Sequence, residues 1–217
     1  MQESRITIEY IKMLKRPVFT TREISDMSGK SMSVVTQALN YLGKHNVVKK
    51  LYRGVWMEVT DKLISPYMLL PHLFKSTRVY VSFLSALHLY DIIEQIPQTI
   101  TLASTLHSRN IKTTISTFVV HQLSPEFFSG FDWYKGADKF LIAKPEKALA
   151  DCLYLFTRKK KQYGYFPELN LRSPFSIKKA REWVQKIPDK KARLHAMDKF
   201  EELIGKWQER QREEVFG

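Results

Sequence analysis

Apolar residues in the first sixty positions recur at helical spacing and then at strand spacing. Ile8, Ile11 and Leu14 share one face of a helix expected over Ser4–Leu14. Pro17 closes it, because a residue preceding proline is pushed out of helical geometry. Thr20 and Thr21 offer hydroxyl caps to a short helix at Arg22–Met27, and Ser28-Gly29-Lys30 supplies a tight turn. Ser31 can cap a second helix whose Val35, Ala38, Leu39 and Leu42 form its apolar stripe. Met32, Ser33, Thr36, Gln37, Asn40 and Lys44 then fall on the opposite, wet face. After the break Gly43-Lys44-His45-Asn46, Val47–Leu51 and Val55–Val59 have strand composition. Tyr52-Arg53-Gly54 joins them, with Gly54 able to take a positive φ.

Ser65-Pro66 and Pro71 punctuate the stretch 61–75, and Tyr67-Met68-Leu69-Leu70 between them predicts a docked linker rather than a free one. Beyond it the signals mix. Ser82 is placed to cap a short helix, Phe83–Leu89. Gln98–Ala103, Ile115–His121 and Phe140–Ile142 carry the β-branched and aromatic content of strands. Leu106–Thr114 is expected as a basic connection carrying Arg109 and Lys112. Ala143-Lys144-Pro145-Glu146 opens a helix with proline in its first turn and Ala148, Leu149, Cys152, Leu153 and Phe156 inward. Ser176 caps another, with Ile177, Ala180, Trp183, Val184 and Ile187 on one face. Pro188-Asp189 separates it from a last helix reaching about Arg212. The fold class is therefore α+β: an amino-terminal winged helix-turn-helix at 1–60, then a mixed α+β domain at 76–217 closed by carboxy-terminal helices.

Charge sharpens this picture. The 217 residues hold 35 Lys and Arg against 22 Asp and Glu, a net of +13 with a pI near 9.7, the footprint of a chain that meets polyanions. Residues 1–60 carry ten Lys/Arg against five Asp/Glu, and residues 139–217 carry nineteen against eleven. A cluster at Arg158, Lys159, Lys160 and Lys161 follows the Cys152 helix, where cations suit the negative helix end. One cysteine forms no internal disulfide, the amino terminus lacks a signal-peptide pattern, and no apolar run approaches the roughly 18 residues of a membrane span. A cytoplasmic protein without a membrane partner is the expectation.

The wet face of the second helix bears hydroxyls, amides and a cation, with no acid. Gln and Asn there can pair bidentately with adenine, and Ser and Thr with several base edges. Ser31, Ser33, Thr36, Gln37 and Asn40 are accordingly the candidate base readers in double-stranded DNA. Arg22, Lys30, Lys44, Lys49, Lys50, Tyr52 and Arg53 are the candidate phosphate and wing contacts. Arg109, Lys112 and Arg158 through Lys161 form an additional basic surface that could extend a DNA footprint or approach RNA.

Signatures of catalysis and cofactor binding are missing from the sequence. It has no G-x-x-x-x-G-K-[ST] and no G-x-G-x-x-G phosphate loop. His45, His72, His88, His107, His121 and His195 are scattered, so no metal site, cofactor or catalytic residue is expected. Cys152, on an apolar helix face, is expected to be an inert thiol. The enzyme alternative is a Mg²⁺ nuclease using Lys144, Glu146 and Asp151, but the two carboxylates sit roughly 140° apart around a helix. A second alternative is a ligand-responsive regulator with its pocket among the aromatics of the second domain.

The order of these elements, with Tyr80-Val81-Ser82, Ser85-Ala86-Leu87, strands around Thr101 and Phe118, and above all Ile142-Ala143-Lys144-Pro145-Glu146-Lys147-Ala148-Leu149-Ala150-Asp151 followed by Leu153-Tyr154, resembles the AbiEi antitoxins. These are the transcriptional regulators of type IV toxin–antitoxin and phage abortive-infection systems. The resemblance covers roughly residues 5–200, and its most specific piece is the IAKPEKALAD run, which is similar to the family's PEKAL-D segment. It implies a winged helix repressing its own operon at inverted repeats. It also implies a carboxy-terminal domain that counteracts a nucleotidyltransferase-like toxin without requiring a stable complex. The recognition role then falls on Ser31, Ser33, Thr36, Gln37 and Asn40 and the wing role on Lys49, Lys50 and Arg53, while Arg109 and Lys112 match a basic stretch between the strands.

Overall fold

A computed structural model describes residues 2–61, 63–136, 138–158 and 166–216, with helices and strands in α+β order. The chain divides into two compact units. The first comprises Met1–Thr77, Lys112–Ser116 and Lys135–Phe140, the second Arg78–Ile111, Thr117–Tyr134 and Leu141–Gly217. Among the described residues, no helix is long and apolar enough to cross a membrane.

The first unit opens with α1 (Gln2–Met13), followed by β1 (Val18–Thr20), α2 (Thr21–Ser28), α3 (Met32–Lys44), β2 (Val48–Tyr52) and β3 (Val55–Glu58). The strands form an antiparallel sheet in the order β1-β3-β2. Ile11, Phe19, Ile24, Val35, Leu39, Leu42, Val48 and Trp56 make one core, with Ile8 and Leu14 packed against it. Every residue expected on the apolar stripe of the second helix is inside. Trp56 satisfies its buried indole N–H by donating to the Thr21 hydroxyl at 3.0 Å. The sequence pattern does not announce β1: three residues after Pro17, the last of them the helix cap Thr20, show no period, and only pairing with β3 makes them a strand. Further on, a 3-10 turn (Pro66–Leu69) leads into α4 (Leu70–Leu73), with Leu69 and Leu70 buried. Tyr67 stacks on Phe140 at 4.7 Å within this unit.

The second unit contains β4 (Tyr80–Val81), α5 (Phe83–Leu89), β5 (Ile100–Ser104), β6 (Arg109–Lys112, all but its last residue), β7 (Thr117–Gln122), β8 (Phe131–Trp133) and β9 (Leu141–Ala143). It continues with α6 (Pro145–Arg158), α7 (Ile177–Gln185) and α8 (Lys190–Phe216). The six strands lie in the order β6-β7-β5-β4-β9-β8. The sheet is mixed: β5 runs parallel to β7 and β4 to β9, while β4/β5 and β8/β9 are antiparallel. α6 packs against α5, α7 and α8 and is buried around nearly its whole circumference.

Two expectations need correction. The basic segment Leu106–Thr114 is not merely a connection, because Arg109–Lys112 forms the edge strand β6, with Ile111 inward and its neighbours exposed. Polar, cationic sequence suits an edge because it discourages further strand pairing. Ser82 precedes α5 but makes no side-chain cap. Its hydroxyl donates instead to Asp151 at 2.6 Å. Donation to a buried carboxylate is a strong, charge-assisted hydrogen bond, and it orients the Ser82 hydroxyl toward Asp151 rather than the α5 N-terminus.

Candidate nucleic-acid interface

The local chemistry of α2 and α3 fixes how the wet face is presented. Thr20 is the N-cap of α2, its Oγ1 accepting the Glu23 N–H at 3.3 Å, while the Glu23 carboxylate accepts the Thr20 N–H at 2.7 Å. This reciprocal pair is a capping box. Burial alone pushes the Glu23 carboxyl upward, but hydrogen bonds from Thr20 and the Arg16 guanidinium outweigh it and hold it below its usual range. Gly29 ends α2 at φ +66°, a conformation that a side chain resists. The Ser25 hydroxyl donates to the Lys30 carbonyl at 2.6 Å and the Lys30 N–H to Ser28 Oγ at 3.3 Å, so the turn is stitched on both sides.

Ser31 caps α3, its oxygen accepting the Val34 N–H at 3.4 Å, so its lone pairs serve the helix and its O–H remains to donate. The Thr36 hydroxyl donates to the Met32 carbonyl at 2.7 Å and therefore presents only an acceptor outward. Ser33, Gln37 and Asn40 are exposed, without side-chain partners among the described residues. Helical spacing puts Ser33, Gln37, Asn40 and Lys44 on one face, with Thr36 at its margin. Tyr41 belongs to that face too. It is 43% exposed, one turn beyond Gln37, with its ring 4.4 Å from His45. Its i+4 spacing from Gln37 was the available signal, but an aromatic beside an apolar stripe reads more readily as core.

In the hairpin, Lys49, Lys50, Tyr52 and Arg53 are exposed, and Lys50 Nζ stands 5.4 Å from the Trp56 ring centre. Gly54 sits at φ +71°, and its carbonyl accepts the Thr21 N–H at 3.0 Å, tying the hairpin tip to the start of α2. Arg22, Lys44, Lys49 and Arg53 make no ion pair among the described residues, and Lys30, in the turn, is half-buried. Of the additional cations, Arg109 and Lys112 lie exposed on β6. Arg158 ends α6 with its guanidinium 4.5 Å above the Tyr154 ring. Lys159, Lys160 and Lys161 fall outside the described residues.

The carboxylates weighed for a nuclease have other occupations. Glu146 is buried and accepts the Ser176 N–H at 3.1 Å, anchoring the start of α7. Asp151 is fully buried, paired with Lys147 one helical turn earlier, and accepts hydroxyls from Ser82 and, at 3.1 Å, Tyr80. Lys147 is itself fully buried, with Nζ 3.6 Å from the Phe127 ring centre and 5.5 Å from that of Trp183. Burial pushes the Lys147 ammonium down and the Asp151 carboxyl up, and each partner pulls the other back toward its charged form. Cys152 lies buried alongside, its thiol driven up by desolvation. Sequence reasoning gave Lys147 no role; its signal was a lysine four residues before an aspartate inside an apolar helix.

The sequence matches no protein-family model and no curated protein.

Proposed function

We propose that this chain is a sequence-specific DNA-binding repressor whose amino-terminal unit acts as a winged helix-turn-helix, α3 entering the major groove and the β2–β3 hairpin serving as the wing. The observation that carries the reading is the acid-free outer face of α3. Its amides and hydroxyls lack internal partners at Ser33, Gln37 and Asn40, and it is flanked by the exposed cations Lys44, Lys49, Lys50 and Arg53. In a structural helix, solvated faces ordinarily mix both charge signs; a face of amides, hydroxyls and cations alone complements base edges and phosphates. The stitched turn at Gly29 and the tie from Gly54 to Thr21 hold helix and hairpin in fixed register before any ligand arrives.

The test is selection from a random duplex pool. One recurrent motif should emerge, and Gln37→Ala or Asn40→Ala should each relax preference at one position by about 1–3 kcal/mol. Recovery of no motif, or equal losses on selected and random DNA for every change, overturns the reading.

The AbiEi resemblance of the PEKALAD run supports a further step: the repressor is the antitoxin of a type IV system, acting against a nucleotidyltransferase-like toxin. A neighbouring reading frame of that kind, whose product arrests growth unless this chain is co-expressed, is the expected result. A neighbour of any other type removes the antitoxin role and leaves DNA binding standing.

A further inference from the structure

Val48 and Leu51 are both 2% exposed, although three-residue spacing does not suit strand alternation. A β-bulge between Lys50 and Tyr52 resolves the conflict. It returns Leu51 to the core and leaves Lys49 and Lys50 side by side in solvent. Two backbone carbonyls at this irregularity, those of Lys50 and Leu51, find their donors in one residue. Thr114 donates its N–H to Leu51 O at 3.1 Å and its hydroxyl to Lys50 O at 3.3 Å. The turn presenting Thr114 is closed by its own hydrogen bonds: the Thr113 hydroxyl donates to Ser116 O at 2.7 Å and accepts the Ser116 N–H at 3.1 Å. This turn, Lys112–Ser116, clusters with the first unit. Lys112, two residues before Thr114, is exposed without an ion pair among the described residues. It lies at most about 7 Å of backbone from that anchor.

We propose that Lys112 is a phosphate contact of the wing surface and Thr114 the residue that positions it. The inference rests on the DNA-binding reading above and extends the wing beyond the hairpin. Phosphate contacts reveal themselves through released counterions, so the number made can be counted from salt dependence on any sequence.

The experiment measures binding of the whole chain to a mixed-sequence duplex of roughly 30 base pairs between about 50 and 200 mM salt. Lys112→Ala should lower the slope of log K against log salt by about one, without shifting the unfolding midpoint, and Lys112→Arg should restore it. Thr114→Val should weaken binding about three-fold and flatten the slope, with Thr114→Ser close to wild type. Wild-type binding with an unchanged slope in Lys112→Ala and unchanged affinity in Thr114→Val overturns this inference and leaves the DNA-binding reading intact. A wild-type chain that ignores the duplex at low salt removes both.

Discussion

Lys147 and Asp151 sit one helical turn apart with no solvent exposure. Such a pair is held only because every partner is supplied. Asp151 has the ammonium and two hydroxyls; Lys147 has the carboxylate and the faces of Phe127 and Trp183. Removing one partner leaves a buried charge, so Lys147→Met should cost about 3–5 kcal/mol in urea unfolding. Adding Asp151→Asn should then cost less than its own single effect, by about 1–3 kcal/mol of coupling, and strict additivity would contradict the pairing. Gly130 closes the same cage. At φ +78°, a Cβ there would stand 2.6 Å from the Trp183 ring. Gly130→Ala should therefore destabilise by about 1–3 kcal/mol, and a neutral result would show that the cage is loose. None of this needs catalysis, and it gives a physical reason for the PEKALAD spacing: Glu146 for α7, Lys147 and Asp151 for the interior.

Among the elements, caps and edges divide what is legible in the sequence from what is not. Thr20, Ser31 and Ser176 were legible because a hydroxyl before an apolar stripe is placed to accept a backbone N–H, and all three do; Ser82 had the same pattern but a buried carboxylate, Asp151, takes its hydroxyl instead. The stripe of α3 was legible because its period is long enough to repeat. β1, β4 and β8 were not, being two or three residues that become strands only through distant partners. The bulge at Leu51 was hidden too, because a strand pattern assumes alternation. Of the candidate interface, chain order and exposure were legible, whereas the use of Ser31 and Thr36 by their own helix was not. The α2 capping box makes a pH prediction. The Glu23 carboxyl is held below its ordinary 4.5, so its contribution is fully present above that value and is lost as pH falls through the folded pKa. Thermal unfolding from pH 7 downward should show this loss in the wild type and not in Glu23→Gln; identical pH profiles would remove the box as a stabilising element.

For the whole molecule, a net charge of +13 favours attraction to polyanions at low salt whatever their sequence. Basicity alone therefore says nothing about sequence preference. On the proposed DNA-binding reading, specificity has to come from the α3 face, and the two contributions separate under salt, since phosphate contacts are screened on every duplex while base contacts survive as a ratio. The decisive measurement is the affinity of wild type and of Gln37→Ala/Asn40→Ala for the selected duplex and for random DNA at about 150 mM salt. Wild type should prefer the selected duplex by about 10³-fold or more, and the double variant should keep its random-DNA affinity while losing most of that preference. Equal binding of wild type to both duplexes, or a double variant as selective as wild type, would contradict base reading by α3.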